Sequence, residues 1–108
     1  MRDIHAAMGN LKHTTATITL TDASQLLTAA IDTALGVSVE WAGVLAVMIT
    51  CETYDCRIAF GVAASTTVGH VLAADQSLRI PSSSMIQAAQ VINKTAGFNA
   101  VIQVTLEG

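Results

Sequence analysis

The sequence is short of charge. Only 12% of its 108 residues are charged, against about 25% in ordinary soluble domains. The five cations, Arg2, Lys12, Arg57, Arg79 and Lys94, are scattered rather than clustered. Non-specific nucleic-acid binding works through clustered Lys and Arg that displace counterions, so no nucleic-acid partner is expected. An anionic membrane surface calls for the same clusters. The longest apolar run, residues 41–51, is well short of the about 20 residues that span a bilayer, so no membrane partner is expected either. The first thirteen residues hold no apolar stretch behind their charge, which argues against a signal peptide.

Aromatic residues are equally few. Trp41, Tyr54, Phe60 and Phe98 make up 4% of the chain, a thin supply for stacking on sugar rings. Cys51 and Cys56 are too few for a disulfide framework or a four-ligand zinc site. The motifs of serine hydrolases, phosphate-binding loops, zinc proteases and dithiol oxidoreductases are all missing. His5, His13 and His70 are widely spaced, and no pair has metal-ligand spacing. His70 therefore reads as a surface or interface residue rather than a cupin-like metal ligand. Asp22, Asp32, Glu40, Glu52, Asp55 and Asp75 fall at expected turns or element ends, where carboxylates cap helices and brace turns. No catalytic residue, cofactor site or metal site is assigned, and the chain reads as non-enzymatic.

What the sequence does have is apolar content, 52% of residues, much of it alanine, beside many Thr, Ser, Asn and Gln. One domain of this length buries roughly 65% of its unfolded surface, enough for a core. Disorder is excluded by the low charge and high hydropathy. With little charge to keep copies apart, self-association is expected.

Alternation then marks the strands. Residues 14–20 place Ala16, Ile18 and Leu20 on one face and Thr15, Thr17 and Thr19 on the other. Residues 21–34 carry Leu26, Leu27, Ala30, Ile31 and Ala34 at helical spacing, with Thr21 or Asp22 as cap and Gly36 as stop. A strand continuation followed by a loop is the alternative there. Residues 44–51 are apolar on both faces, which implies a cover on each side: the core on one, a partner subunit or the N-terminal arm on the other. Residues 56–62 alternate with Cys56, Ile58, Phe60 and Val62 inward and Arg57 opposite. Short strands follow at 68–74 and 76–80, the second ended by Pro81 and three serines. Residues 85–93 read either as a short helix capped by Ser84 or as extended chain. Residues 99–107 give a further strand, with Ala100, Ile102, Val104 and Leu106 on one face.

Six to eight short strands separated by turns predict an all-β fold: an antiparallel β-sandwich or a small jelly-roll-like barrel, with room for one short helix. The expected organisation is an N-terminal arm over residues 1–13 and a sandwich domain over 14–108. The arm is either frayed or held by a partner. Should residues 52–55 form a four-residue hairpin loop, Cys51 and Cys56 face each other across its ladder and a disulfide is geometrically possible. The alternative is two small half-buried hydrophobes. Tyr54 either packs over the sheet end or stands out as a contact anchor. Trp41 is either core or a subunit-interface anchor.

The order of these pieces carries a resemblance. Thr-Ile-Thr-Leu-Thr-Asp-Ala-Ser-Gln-Leu-Leu opens residues 17–27, followed by the long apolar strand and by Phe60-Gly61-Val62. Then come Val-Leu-Ala-Ala-Asp-Gln-Ser-Leu-Arg-Ile at 71–80, Val91-Ile92, the Thr95-Ala96-Gly97 turn and Val-Ile-Gln-Val-Thr-Leu-Glu-Gly at 101–108. Over residues 15–108 this resembles the small β-sandwich virion proteins of tailed bacteriophages, above all capsid decoration (cement) proteins. The resemblance implies a structural protein on the outside of the capsid, assembled in the host cytoplasm. Its partners would be the major capsid protein and further copies of itself, as a homodimer or homotrimer. On this reading Arg2, Ile4, His5, Leu11 and Lys12 contact the capsid or a neighbour. Trp41, Val44, Val47 and Ile49 pack subunits together, and Tyr54 is an exposed contact. The alternatives are a tail, head–tail connector or fibre-base component of similar fold, or a ligand-binding β-module.

Overall fold

The computed structural model describes residues 13–108. Eight strands form two four-stranded sheets: β1 (Thr15–Thr19), β2 (Gln25–Leu26), β3 (Ala46–Thr53), β4 (Cys56–Phe60), β5 (His70–Leu72), β6 (Ser77–Ile80), β7 (Ala89–Asn93) and β8 (Val101–Glu107). One sheet has the order β1-β8-β3-β6 and the other β2-β7-β4-β5. Two helices, α1 (Leu27–Leu35) and α2 (Ser83–Ala88), and a 3-10 turn at Trp41–Gly43 complete the fold. The expected all-β sandwich is the observed architecture.

Every strand pair is antiparallel, and the pairs are nested: β1 with β8, β2 with β7, β3 with β6, β4 with β5. The chain is thus one long hairpin, turned back at residues 61–69. Two further pairings, β3 with β8 and β4 with β7, roll that ribbon into two facing sheets. This is the jelly-roll arrangement, in which strands alternate between sheets instead of filling one sheet at a time.

Period-2 patterning decides what each strand buries. Ala16 and Ile18 from β1, Val47, Ile49 and Cys51 from β3, and Ile102, Val104 and Leu106 from β8 point to the other sheet. Cys56, Ile58, Leu72, Ala89 and Val91 meet them from it. The opposite face of the first sheet is mostly polar, with Met48 among its few apolar residues. Its rows join Thr15 to Thr105 at 2.7 Å, Thr17 to Gln103 at 2.7 Å and Thr50 to Ser77 at 2.8 Å. Such cross-strand hydroxyl pairs let a flat face meet water with few charges.

Helix α1 buries Leu27, Ala30 and Ile31 against β1, β2 and β7. It lacks a side-chain N-cap; Leu26 precedes it in β2, and Gly36 ends it in the left-handed conformation. The expected capping role of Thr21 or Asp22 is therefore not realised, because the chain pairs with β7 before it turns helical. Helix α2 is capped by Ser82, whose Oγ accepts from Met85 N, two residues before the expected Ser84. The helix and the extended stretch that residues 85–93 left open are both present, in sequence, as α2 and β7.

Residues 44–51 have one face in the chain's own core, as expected, while the cover expected on the other face, by a partner or by the N-terminal arm, lies outside the described residues. Val44, Val47 and Ile49 are fully buried in the chain's own core, while Leu45 and Met48 face outward, 63% and 37% exposed. The two faces of β3 thus differ, and the outward one ends in Thr50 and Glu52. Val62 also departs from expectation. It is exposed, because β4 stops at Phe60 and Gly61 takes a positive φ of 76°.

Candidate interaction surface

The outer strands of a sandwich leave two open sides. On one side, α1 lies across β1 and β2, leaving an open cleft of about 300 Å³ that includes Thr17, Gln25, Ala29 and Thr33. On the other side, β5 and β6 end their sheets, with no strand beyond them among the described residues. Edge strands present unpaired backbone groups, and these two are short, three and four residues. Between them opens a mostly apolar groove of about 330 Å³, lined by Phe60, His70, Leu78, Arg79, Ile80 and Met85.

Each lining residue has a local reason to be there. Phe60 is the last residue of β4 and faces inward where the core thins out, so its ring is only half-buried. His70 opens β5, and its ring lies 6.5 Å from that of Phe60. Leu78 and Ile80 are the inward residues of β6. Met85 stands on the first turn of α2 with 42% of its surface exposed. Arg79 closes the rim by a forked contact to Glu107 of β8, at 3.1–3.3 Å. That pairing raises the Arg79 pKa further above its ordinary value.

A second exposed patch caps one end of the sandwich. Tyr54 and Phe98 stack at 5.1 Å, 51% and 52% exposed, with Asp55 and Thr95 around a small cavity of about 140 Å³. Tyr54 adopts a positive φ of 58°, because it makes the turn between β3 and β4. It is exposed, as expected of a contact anchor, and it also packs, against Phe98 rather than over the sheet.

The remaining sequence-singled residues divide clearly. Arg2, Ile4, His5, Leu11 and Lys12 lie outside the described residues. Val44, Val47 and Ile49 are spoken for inside the subunit and do not reach its surface. Trp41 is half-buried and packs on the core. Its indole Nε1 donates to Asp32 at 3.2 Å, and its carbonyl accepts from Ser83 at 2.7 Å, so it ties α1 to α2. Asp32 also accepts from Val39 N at 3.0 Å; its role is to hold the 35–41 turn. His70 is exposed, and among the described residues no three His, Cys, Asp or Glu side chains gather as a metal site would require.

Sequence reasoning did not single out the groove as a site. Phe60 and Ile80 were legible as inward residues, but only the roll of the ribbon brings β4, β5, β6 and α2 to one opening. Arg57, read as facing away from the core, does so: its guanidinium donates to Gly69 O at 2.8 Å, which holds the turned-back loop over β4. Compared with known proteins, the chain matches no family model, no curated protein and no solved structure.

Proposed function

We propose that this chain is a non-enzymatic virion structural protein of a tailed bacteriophage, a capsid decoration protein that binds the outer capsid surface as an oligomer and braces neighbouring capsomers. The observation that carries the reading is the apolar groove between β5 and β6, the end strands of the two sheets among the described residues. Exposed apolar surface next to unpaired strand edges is the form of a contact surface for another polypeptide. The surface around it supports the same reading. Leu45, Val62, Val68, Val71 and Phe98 are exposed, and the whole chain has only thirteen charged residues to offset them (five basic, eight acidic).

The virion assignment itself comes from the sequence resemblance. Jelly rolls serve in capsids, lectins and cupins alike, so the fold narrows the function without choosing it. The partners on this reading are the major capsid protein and further copies of the chain.

Two measurements test it. Light scattering on the purified chain should give a dimer or trimer mass. Quantitative mass spectrometry of purified phage particles should find the chain at a copy number comparable to the major capsid protein. A copy number many-fold lower would move the chain to the tail, connector or fibre base. Its absence from particles, with a monomeric mass in solution, would overturn the reading and favour a ligand-binding module.

A further inference from the structure

The end of the sandwich that carries Tyr54 and Phe98 lies away from the groove: β4 begins here at Cys56 and reaches the groove only at Phe60. Tyr54 and Asp55 form the arch that takes the chain from β3 in one sheet to β4 in the other. Two neighbouring loops are tied to that arch. Ala74 N donates to Asp55 Oδ1 at 2.9 Å, and Lys94 N donates to Asp55 O at 3.1 Å. Phe98 N donates to Thr95 O at 3.1 Å and closes the turn that presents the Phe98 ring. Gly97 N donates to Asp22 at 2.9 Å, so the loop after β1 holds the same turn.

These contacts set two aromatic rings beside one carboxylate. Tyr54 and Phe98 stack, each half-exposed, and with Asp55 and Thr95 they line a cavity of about 140 Å³. The Asp55 carboxylate is fixed by one oxygen and open at the other. Oδ1 takes the Ala74 N–H, while Oδ2 has Lys94 Nζ at 3.9 Å, longer than a hydrogen bond.

Charge decides what such a cavity takes. The loops and strand ends here carry Asp22, Glu52, Asp55 and Asp75 against one cation, Lys94. That surplus equals the net charge of −3 of the whole chain. An anion is repelled, and a neutral ring gains stacking alone. A cation gains twice, from the negative faces of the rings and from the open carboxylate oxygen. A guanidinium suits the pair better than an ammonium, because it is flat enough to stack on a ring while its N–H fork reaches a carboxylate.

We propose that Tyr54, Asp55, Thr95 and Phe98 form a binding site for an arginine side chain of a partner polypeptide, with the guanidinium stacked on the aromatic pair and donating to Asp55 Oδ2. The Thr95 hydroxyl oxygen accepts a further N–H. Lys94 gives way on its flexible stem, since its contact with Asp55 is solvent-exposed and weak. The site does not depend on the virion reading, because it uses neither the groove nor any capsid contact.

The test titrates the full chain with the capped tripeptide Gly-Arg-Gly, and separately with its neutral isostere carrying citrulline in place of arginine, followed by amide and ring-proton NMR. The expected result is saturable shifts at Tyr54, Asp55, Thr95 and Phe98 with the arginine peptide, about tenfold weaker or more with the citrulline peptide. Added sodium chloride should weaken the arginine peptide further. Asp55→Asn keeps the oxygen that accepts from Ala74 N and removes the charge, so it should lower arginine affinity about fivefold or more. Phe98→Leu should weaken both peptides, since it removes the stacking face. No saturable shift at these four residues up to about 50 mM peptide would overturn the proposal. So would shifts centred elsewhere, or equal affinity for the two peptides, which would leave stacking without recognition of charge. Each of these outcomes is read on the wild-type chain, so the conclusion stands even where a variant fails to fold.

Discussion

Asn93, at the end of β7, donates from Nδ2 to Asp22 Oδ1 at 3.0 Å across 71 residues of sequence. The same amide donates to Asn99 at 2.8 Å, and its Oδ1 accepts from Ala100 N at 2.9 Å. Asn93 is 1% exposed, alone as a buried polar residue among the described residues. One side chain thereby holds the loop after β1 against the loop before β8, and so sets where the outer turn of the roll closes.

Replacing Asn93 with Ala should cost about 2–3 kcal/mol, because Ala100 N–H is left buried without an acceptor and two further bonds are lost. Urea unfolding followed by circular dichroism measures this directly. A loss below about 0.5 kcal/mol would show that water replaces the amide without penalty.

Asp22 makes stability pH-dependent in a defined direction. Its hydrogen bonds from Asn93 and from Gly97 N hold its carboxyl below the ordinary value of 3.8. A depressed carboxyl contributes stability above its unfolded pKa, and the contribution fades as pH falls through the folded value. Asp22→Asn should therefore weaken the chain at pH 6 and converge on wild type only as the pH falls through the lowered folded value, below the ordinary 3.8. A wild-type minus variant difference that grows on acidification would contradict the assignment.

Gly69 occupies a φ of +126°, and a Cβ there would lie 3.2 Å from Arg57 Cβ and from the Ile58 carbonyl carbon and oxygen. Gly69→Ala should cost about 1–3 kcal/mol, since backbone strain and a clash with β4 act together. Denaturant midpoints of the variant and of Gly61→Ala separate the two effects. Gly61 has a φ of +76° and nothing within 4 Å of its added Cβ, so it reports strain alone.

Met85→Glu tests the groove. The side chain is 42% exposed on the first turn of α2, where an acidic residue suits the helix N-terminus, so stability should stay within about 0.5 kcal/mol of wild type. Association, read as solution mass or as co-sedimentation with capsids, should weaken at least about tenfold. Unchanged association would place the contact elsewhere on the surface.

The strands and their inward faces could be read from the sequence because alternation is a local property. Thr15–Thr19 and Val101–Glu107 appear as elements with the expected faces buried, since in both a polar residue separates each apolar pair. Helix α1 was legible from its spacing, although its start was not: Leu26 belongs to β2 and is 46% exposed. Where both faces looked apolar, at residues 44–51, composition alone did not tell Val47 from Met48. The difference lies in which face of β3 turns to the second sheet.

The sequence by itself determined that this chain is a small antiparallel sandwich or barrel of short alternating strands with little charge. Only the tertiary structure decided which strands pair and what those pairings bring together. Cys51 and Cys56 stand on strands of different sheets rather than across a hairpin, Asn93 reaches Asp22, and Phe60, His70 and Met85 share one opening. The physical reason is that a strand's periodicity is written in neighbouring residues, whereas its partner is chosen by burial summed over the whole roll.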